Sequence, residues 1–312
     1  MHWNPHSFSL RQLQYALAVA QTRGFRKAAE LCHVSQPSLS AQIAQLESAL
    51  GITLFDRGGN EVRNLPGTEQ LLSRMQSLLV DAEAVQVVAQ QMTNPLAGPL
   101  RIGVIPTLSP YLVPLLVAPV RKAFPQLRPL WIEQKTPVIR RELEEGSLDC
   151  ALVALEAEYG EVEHHVLGID PFIFAAPVGH PLTRKQSPLP LAAMKGEDVL
   201  LLEDGHCLRD QTLSFCHDLK EHDAGVRATS LTTLAQMVAS GTGVTVLPKL
   251  ALAQENAHGR LAWRTFATPA PSRTIVLIWR PRSAWTAPMQ TIADVLKKAV
   301  AGVLTPESLS PR

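Results

Sequence analysis

From residue 99 onward, short apolar segments alternate with segments whose apolar residues follow helical spacing. The apolar segments predict β-strands, and they read LRIGVIPT, LRPLWIEQ, LDCALVAL, PFIFAAPV, DVLLLED, VTVLPK and RTIVLIWR. The helical segments cover residues 110–123, 138–145, 208–220, 231–239 and 287–300. Such alternation predicts an α/β fold with mostly parallel sheets, in which ligands bind outside the carboxyl ends of the strands. Thr107 and the pair His206 and Cys207 follow two of these strands, so they could face each other.

Three short helical patterns occupy the first 51 residues, and a tight turn precedes the third. Ser35 is a natural N-cap of the third helix, Pro37 suits its first turn, and Gly51 ends it. The pattern predicts a helix-turn-helix, with an ordinary small helical bundle as the alternative. DNA binding is favoured by the polar face of the third helix, whose side chains can hydrogen-bond base edges. That face consists of Gln36, Ser38, Ser40, Gln42 and Gln45.

Residues 54–63 predict a small hairpin, or wing, with a Gly-Gly-Asn turn, and residues 68–92 predict a long helix. No core of its own surrounds this helix, so we expect a linker helix that pairs with a partner chain. Packing on its own domain is the alternative. The segment from Asn94 to Pro99 contains two prolines and a glycine, and it marks a domain boundary.

The composition excludes several classes of protein. The chain of 312 residues has 46% hydrophobic residues, which is enough for two or three domains with cores of their own. It contains no run of eighteen apolar residues, and its start lacks the pattern of a signal peptide. Four cysteines in a chain of this length do not make a disulfide scaffold. We therefore expect a cytoplasmic protein without a membrane span, a metal or a cofactor.

Cys207 is the cysteine with the most charged surroundings, because His206, Arg209 and Asp210 flank it. Nearby positive charge favours the reactive thiolate, and Cys207 would also lie near the N-terminus of the predicted helix, whose dipole stabilises an anion. The alternative is that Cys207 and Cys216 are two unrelated small hydrophobic residues. If residues 207–216 are helical, the two Cα atoms are about 13 Å apart. A disulfide requires about 7 Å or less, so oxidation that joins them would have to unravel the helix.

A sequence motif relates the chain to a known family. Residues 28–57 carry the pattern AA-x-x-C-x-V-SQPSLS-x-QI-x-x-LE-x-x-LG-x-x-LF-x-R, and the first ninety residues resemble the LysR-type transcriptional regulators. The effector half resembles the hydrogen-peroxide-sensing branch of that family. The matching segments are GPLRIGVIPTLSPYL, GSLDC, LLLEDGHCLRDQTLSFC, RATSLTTLAQMVASGTGVTVLP and RTIVLIWRP, of which GHCLRDQ is the most specific.

The resemblance implies a domain organisation. We expect a winged helix-turn-helix DNA-binding domain over residues 1–66, a linker helix over 67–94 and an effector domain over 95–312. The effector domain would consist of two α/β subdomains like those of periplasmic binding proteins. Subdomain I would cover about 97–171 and 275–303, and subdomain II about 172–274. A homotetramer built from two kinds of homodimer is implied as well.

The resemblance also assigns roles to residues. Cys207 matches the peroxidatic cysteine and Cys216 the resolving one, while Cys32 and Cys150 are expected to be structural. The positions that match residues around the peroxide are Thr107, Thr136, His206, Arg209, Asp210 and Arg273. In this scheme Arg209 and His206 favour the thiolate, the threonines and Arg273 bind the peroxide oxygens, and Asp210 holds the cations in place. The expected DNA-binding residues are Arg26, Ser35, Gln36, Pro37, Ser38, Ser40, Gln42 and Arg57.

The function that follows is a peroxide-responsive transcription factor that controls antioxidant genes and is not an enzyme. Its expected partners are promoter DNA, hydrogen peroxide, RNA polymerase and cellular thiol reductants. The alternatives are a LysR-type regulator that senses a small organic anion, with an inert Cys207, and a thiol peroxidase.

Some features depart from the family. Ala44 and Gln45 stand where many members have basic residues, and the wing carries little positive charge. The threonine that commonly caps the linker helix near residues 65 and 66 is missing.

Overall fold

The structure, a computed structural model, describes residues 7–56, 58, 62–93, 96–155, 157–185, 187–215, 220–221, 228–283 and 285–306. The chain divides into two compact units. The first consists of residues 1–89 and 144–147, and the second of residues 90–143 and 148–312. Among the described residues, no helix combines the length and the apolar character that crossing a membrane requires.

The first unit contains three short helices, a wing and most of a long helix. Its elements are α1 (Leu10–Thr22), α2 (Phe25–Leu31), α3 (Gln36–Leu50), β1 (Phe55–Asp56), β2 (Arg63–Asn64) and α4 (Glu69–Thr93). The Ser35 side chain accepts a hydrogen bond from the Ser38 N–H, and Gly51 ends α3 in the left-handed conformation, so both predicted helix ends are confirmed. The wing is an antiparallel pair in which Phe55 faces Asn64, and the tip of its turn lies outside the described residues.

Thr68 directly precedes α4, and its carbonyl accepts the first helical hydrogen bond, from the Leu72 N–H. The Thr68 hydroxyl donates to the Leu65 carbonyl over 2.7 Å, and the Glu69 carboxylate accepts from the Gly67 N–H. The hydroxyl therefore donates to a carbonyl in this contact and does not accept from a helix N–H as a capping threonine would.

The first turns of α4 belong to the core of the first unit. Leu72 and Met75 are buried in the same apolar cluster as the inner faces of α1 and α3. Leu78 and Val85, farther along the helix, are exposed. Packing on its own domain, the alternative interpretation of this helix, therefore holds for its beginning, whereas pairing with a partner chain stays a prediction.

The second unit is an α/β structure. Its elements are β3 (Gly98–Val104), α5 (Ser109–Ala123), β4 (Leu127–Glu133), α6 (Thr136–Glu145), β5 (Cys150–Ala154), β6 (Glu163–Pro177), β7 (Asp198–Val199), α7 (Cys207–Phe215), β8 (Lys220–Glu221), α8 (Leu231–Ala239), β9 (Thr245–Pro248), α9 (Leu252–Glu255), β10 (Leu261–Thr265), β11 (Ser272–Trp279) and α10 (Thr286–Val300). Short 3₁₀ turns lie at Pro181–Thr183, Leu191–Met194 and Lys249–Ala251.

Seven of these strands form one sheet in the order β10-β6-β11-β5-β3-β4, and β9 also pairs with β6. Only the pairs β3 with β4 and β3 with β5 are parallel, whereas the four other pairings of this sheet are antiparallel. The prediction of mostly parallel sheets is therefore wrong. Apolar patterning shows that a strand is buried but not in which direction it runs. β11 lies between β5 and β6 and runs antiparallel to both.

β6 is longer than predicted and serves two parts of the sheet. The sequence predicted only the stretch from Pro171 onward, but the strand begins at Glu163. Residues 163–171 pair with β11, and residues 172–177 pair with β9 and β10. This long strand therefore runs through both predicted subdomains.

Three other elements also differ from the prediction. The helix predicted over residues 208–220 corresponds to α7 (Cys207–Phe215), residues 216–219 lie outside the described residues, and Lys220 lies in β8 beside β7. Within the apolar segment 198–204, only β7 forms a regular strand, and Leu202 makes a single bridge to Ala228. The strand β10 was not predicted, because the segment LAWRT is short and interrupted by Arg264.

Candidate redox and DNA-binding sites

A cleft of about 460 Å³ in the second unit contains the Cys207 thiol. Its lining residues are Thr136, Pro137, Ala157, Glu158, Gly205, Cys207, Asp210, Gln211 and Ser214. Cys207 is reduced and 6% exposed, and it is the first residue of α7, which confirms that it lies at a helix N-terminus. Gly205 makes the preceding turn with φ of 87°, a conformation that favours glycine. The positive end of the helix dipole thus favours the thiolate of Cys207.

The two predicted threonines lie at corresponding positions after neighbouring strands. The ends of β3 and β4 are paired through Val104 and Glu133, and Thr107 and Thr136 each follow three residues later. Thr136 begins α6 and lines the cleft with Cys207. Its hydroxyl oxygen is buried and has no hydrogen-bond partner among the described residues, so it is available to a small molecule in the cleft.

Thr107 and Arg273 are paired with each other in a fully buried network. Arg273 donates to the Thr107 hydroxyl over 2.8 Å and to the Thr107 carbonyl over 3.1 Å. The guanidinium also donates through Nε and Nη2 to a single oxygen of Asp170, Oδ2, at 3.0 and 2.9 Å, and the Leu250 N–H donates to the other oxygen, Oδ1. Burial raises the pKa of Asp170, and the charge of Arg273 opposes that shift. Neither Thr107 nor Arg273 is among the described residues that line the cleft.

His206 differs from the role expected of it. The residue is 3% exposed, and neither ring nitrogen has a hydrogen-bond partner among the described residues. Burial lowers the pKa of His206, and the positive charge of Lys135 lowers it further, while Glu203 and Glu133 act in the opposite sense. A lowered pKa disfavours the charged imidazolium and so argues against the expected role of His206, which stays a prediction.

Arg209 forms its ion pair with Asp204, at 3.0 Å, and donates to the Leu202 carbonyl. The expectation assigned the role of holding the cations to Asp210, which contributes to the lining of the cleft, and that role stays a prediction. Asp204 was not predicted as the partner, because Asp210 stands directly beside Arg209 in the chain and was the more obvious choice.

Two more charged residues beside the cleft were missed. Lys135 and Glu203 form a hydrogen-bonded ion pair, although 68 residues separate them in the chain. The only sequence signal for Lys135 was its position next to Thr136. Asp170 was missed as well, and its signal was a carboxylate within the otherwise apolar stretch from Val166 to Pro177.

Of the other three cysteines, the structure describes Cys32 and Cys150. Cys216 lies outside the described residues, so its pairing with Cys207 stays a prediction. Cys150 is fully buried in β5, and burial raises the pKa of its thiol well above the usual value. Burial also raises the pKa of Cys32, which ends α2. Both shifts disfavour the thiolate and agree with a structural role.

The predicted DNA-binding face of α3 is accessible. Ser35, Gln36, Pro37 and Ser38 are exposed, whereas Ser40 and Gln42 are half-buried. The opposite face of the helix, with Leu39, Ile43 and Leu46, is buried in the core of the first unit. Because the polar residues of the first turn face solvent, they can reach the edges of bases in a major groove.

Two arginines were also predicted to bind DNA. Arg26 is exposed and pairs with Glu30 at 3.4 Å. Arg57 lies outside the described residues.

Comparisons with known proteins agree with this architecture. Residues 10–65 match the family described as bacterial regulatory helix-turn-helix protein, lysR family, and residues 93–301 match the LysR substrate binding domain. The DNA-binding transcriptional dual regulator OxyR of Escherichia coli (strain K12) is 37% identical over 295 residues, which cover 94% of this chain and 96% of that protein.

Solved structures give the same result. A cysteine-to-aspartate variant of full-length OxyR from Pseudomonas aeruginosa is similar with a TM-score of 0.73 and 35% identity, over 94% of this chain and 97% of the other. A cysteine-to-serine variant of Corynebacterium glutamicum OxyR with bound hydrogen peroxide has a TM-score of 0.65 and 33% identity, over 97% and 95% of the two chains. This chain belongs to the LysR family of transcriptional regulators, in the group of OxyR-like proteins.

Proposed function

We propose that this protein is a DNA-binding transcriptional regulator that senses hydrogen peroxide through Cys207. The observation that carries the proposal is the cleft in which the Cys207 thiol and the unpartnered hydroxyl of Thr136 occur together. The thiol stands at the positive end of α7, and the hydroxyl can hydrogen-bond a peroxide oxygen. The similarity to an OxyR with bound hydrogen peroxide supports the same assignment.

The lining of the cleft favours peroxide over an organic anion. Glu158 and Asp210 both line it, and neither lysine nor arginine is among its described lining residues. Carboxylates repel an anionic ligand, whereas hydrogen peroxide is neutral. A regulator that senses a small organic anion is therefore the weaker of the two candidates.

The chemistry would proceed in two balanced steps. The Cys207 thiolate attacks one peroxide oxygen, the O–O bond breaks, and the products are a sulfenic acid and, after protonation, water. The Cys216 thiolate then attacks the sulfenic sulfur, forms a disulfide and releases the second oxygen as water. Cellular thiols would restore the reduced pair by thiol–disulfide exchange.

The output of the switch would be a change in promoter binding. Exposed residues at the start of α3 would contact DNA, and the chain would act in the cytoplasm as a homodimer or homotetramer that engages RNA polymerase. Peroxide serves as the signal in this scheme, and the protein is not proposed to turn it over as an enzyme.

Thiol titration of the full chain with and without one equivalent of hydrogen peroxide tests the proposal. We expect wild type to lose two of its four thiols, and the variant Cys207→Ser to lose none while it still folds, dimerises and binds DNA. A wild-type protein that keeps all its thiols would favour the metabolite regulator. Sustained peroxide consumption with a thiol reductant would favour a peroxidase.

A promoter assay provides a second readout. The variant Cys207→Ser should not change promoter activity when peroxide is added. A response that persists in this variant would show that the sensing residue has been misassigned.

A further inference from the structure

An ion pair joins the two chain segments that carry Thr136 and Cys207. Lys135 directly precedes α6, and its carbonyl accepts hydrogen bonds from the Val138 and Ile139 N–H groups. Its ammonium group donates to the Glu203 carboxylate. Glu203 begins the turn that leads to Cys207, and its N–H donates to the Ala228 carbonyl. Each partner is thus fixed through its backbone, so the pair connects two ordered segments.

The Lys135 side chain also lies against the turn itself. A Cβ atom built on Gly205 would be 3.5 Å from the Lys135 Cδ, so the aliphatic stem of the lysine covers this glycine. The charge of Lys135 acts on His206, the next residue. Lys135 therefore acts on the turn at three residues: it pairs with Glu203, packs against Gly205 and lowers the pKa of His206.

We propose that the Lys135–Glu203 ion pair is a positioning device that holds the turn before Cys207 against the start of α6 and so sets the distance between the Cys207 thiol and the Thr136 hydroxyl. This inference rests on the proposed function. Because Lys135 adjoins the first residue of α6 and Glu203 begins the turn into α7, a shift of the turn would move the thiol relative to the hydroxyl. Neither Lys135 nor Glu203 touches the peroxide in this scheme.

The variants Lys135→Met and Glu203→Gln test the proposal in the full-length protein. The pair is about a third exposed, and exposed ion pairs are weak, so we expect the second-order rate of Cys207 oxidation by hydrogen peroxide to fall by about twofold to fivefold. Alkylation of Cys207 by a bulky maleimide should become faster, because a loosened turn exposes the thiol. A general loss of reactivity would slow both reactions, and a general loss of structure would lower the thermal midpoint, which should stay at the wild-type value.

Four comparisons sharpen the test. Lys135→Arg keeps a positive charge and should keep the wild-type rates. The double variant of Lys135→Met and Glu203→Gln should react with peroxide no more slowly than either single variant, because each single substitution already removes the same interaction. High salt should slow oxidation of the wild type but not of Lys135→Met, because it screens the pair. The matched control is Arg101→Met, which removes the ion pair between the middle residue of β3 and Asp149, and it should leave both rates unchanged.

The outcomes separate this inference from the proposed function. Wild-type rates of peroxide oxidation in Lys135→Met and Glu203→Gln would overturn the inference. So would a change of the oxidation and alkylation rates in the same direction, or slower oxidation with faster alkylation in Arg101→Met. A wild-type protein in which peroxide leaves Cys207 unmodified would overturn the proposed function, and the inference with it.

Discussion

At the scale of single residues, the surroundings of Cys207 combine a favourable helix end with a buried neighbour. The thiol stands at the first position of α7, where the helix dipole stabilises the thiolate. His206 beside it is buried, and this burial lowers its pKa and disfavours the charged imidazolium. Lys135, which lies against the preceding turn, is paired with Glu203. We therefore attribute the stabilisation of this thiolate to the N-terminus of α7 more than to a charged side chain.

The buried imidazole predicts a dependence of stability on pH. The pKa of His206 is lower in the folded chain than in the unfolded chain, where it is about 6.5. Its contribution to stability is therefore present above that value and is lost as the pH falls through the folded-state pKa, because the unfolded chain takes up the proton first. We expect the thermal midpoint to fall on acidification from neutral pH, and to fall less in His206→Asn.

Differential scanning calorimetry over a pH series measures this effect. A substitution of exposed His258 by asparagine is the control, and it should keep the wild-type pH dependence. If His206→Asn loses as much stability on acidification as wild type does, the buried imidazole is not the titrating group.

Residue-level contacts were predictable only where they are local in the chain. The position of Cys207 at a helix start, the Ser35 cap and the Gly51 stop all follow from a few neighbouring residues. The pair of Lys135 and Glu203 joins residues 68 positions apart, and that of Arg273 and Asp170 spans 103. Such pairs depend on how the strands are arranged, which a single sequence does not specify.

At the scale of elements, the exposed first turn of α3 predicts which side chains recognise DNA. Gln36 and Ser38 face solvent there, and each good base contact is worth about 1–3 kcal/mol. We expect Gln36→Ala and Ser38→Ala to lower specific operator affinity and to leave nonspecific binding nearly unchanged. Ser48→Ala, exposed near the other end of the same helix, is the matched control. Footprints with unchanged occupancy in both variants would contradict the assignment.

The helix α7 is the element predicted to change on oxidation. Leu208 is 2% exposed, and the Thr212 hydroxyl donates to the Leu208 carbonyl, so packing and hydrogen bonding both hold the reduced helix. Exposing one large apolar side chain costs about 1.5–3 kcal/mol. The disulfide must offset this cost, so it should be easier to reduce than a structural one. We expect the amides of residues 208–214 to lose hydrogen-exchange protection in the peroxide-treated protein.

The helix α8 supplies the internal reference for this experiment, since its amides should keep the same protection in both redox forms. Equal protection of α7 before and after oxidation would contradict the mechanism. Mass mapping that joins Cys207 to a cysteine other than Cys216 would contradict it as well.

Helices were predicted more accurately than the sheet. The predicted bounds of α5, α8 and α10 agree with the structure to within one residue, because their apolar spacing is regular. The pairing of the strands could not be predicted from such local signals. The length of β6, the existence of β10 and the direction of β11 depend on partners that lie far away in the chain.

At the scale of the whole molecule, the charge of the DNA-binding part predicts its response to salt. Residues 1–65 contain six lysines and arginines and four acidic residues, a net charge of +2. Even if all six cations contacted phosphates, the slope of log affinity against log salt would be about −5 per monomer. Arg26 is paired with Glu30, so we expect a shallower slope. Operator titrations at several salt concentrations measure it, and a steeper slope would reveal phosphate contacts outside residues 1–65.

The position of β11 between β5 and β6 has a consequence for how the chain is made. β5 ends at Ala154 and β11 begins at Ser272, so about 120 residues must follow before β5 acquires its neighbour on that side. At a synthesis rate of roughly 5–20 residues per second, the interval lasts on the order of 6–24 s. During that time the wholly apolar segment CALVA has an open edge on the ribosome, where it can pair with other nascent chains. Chaperone capture is therefore expected to be strongest on nascent chains that end between these two strands.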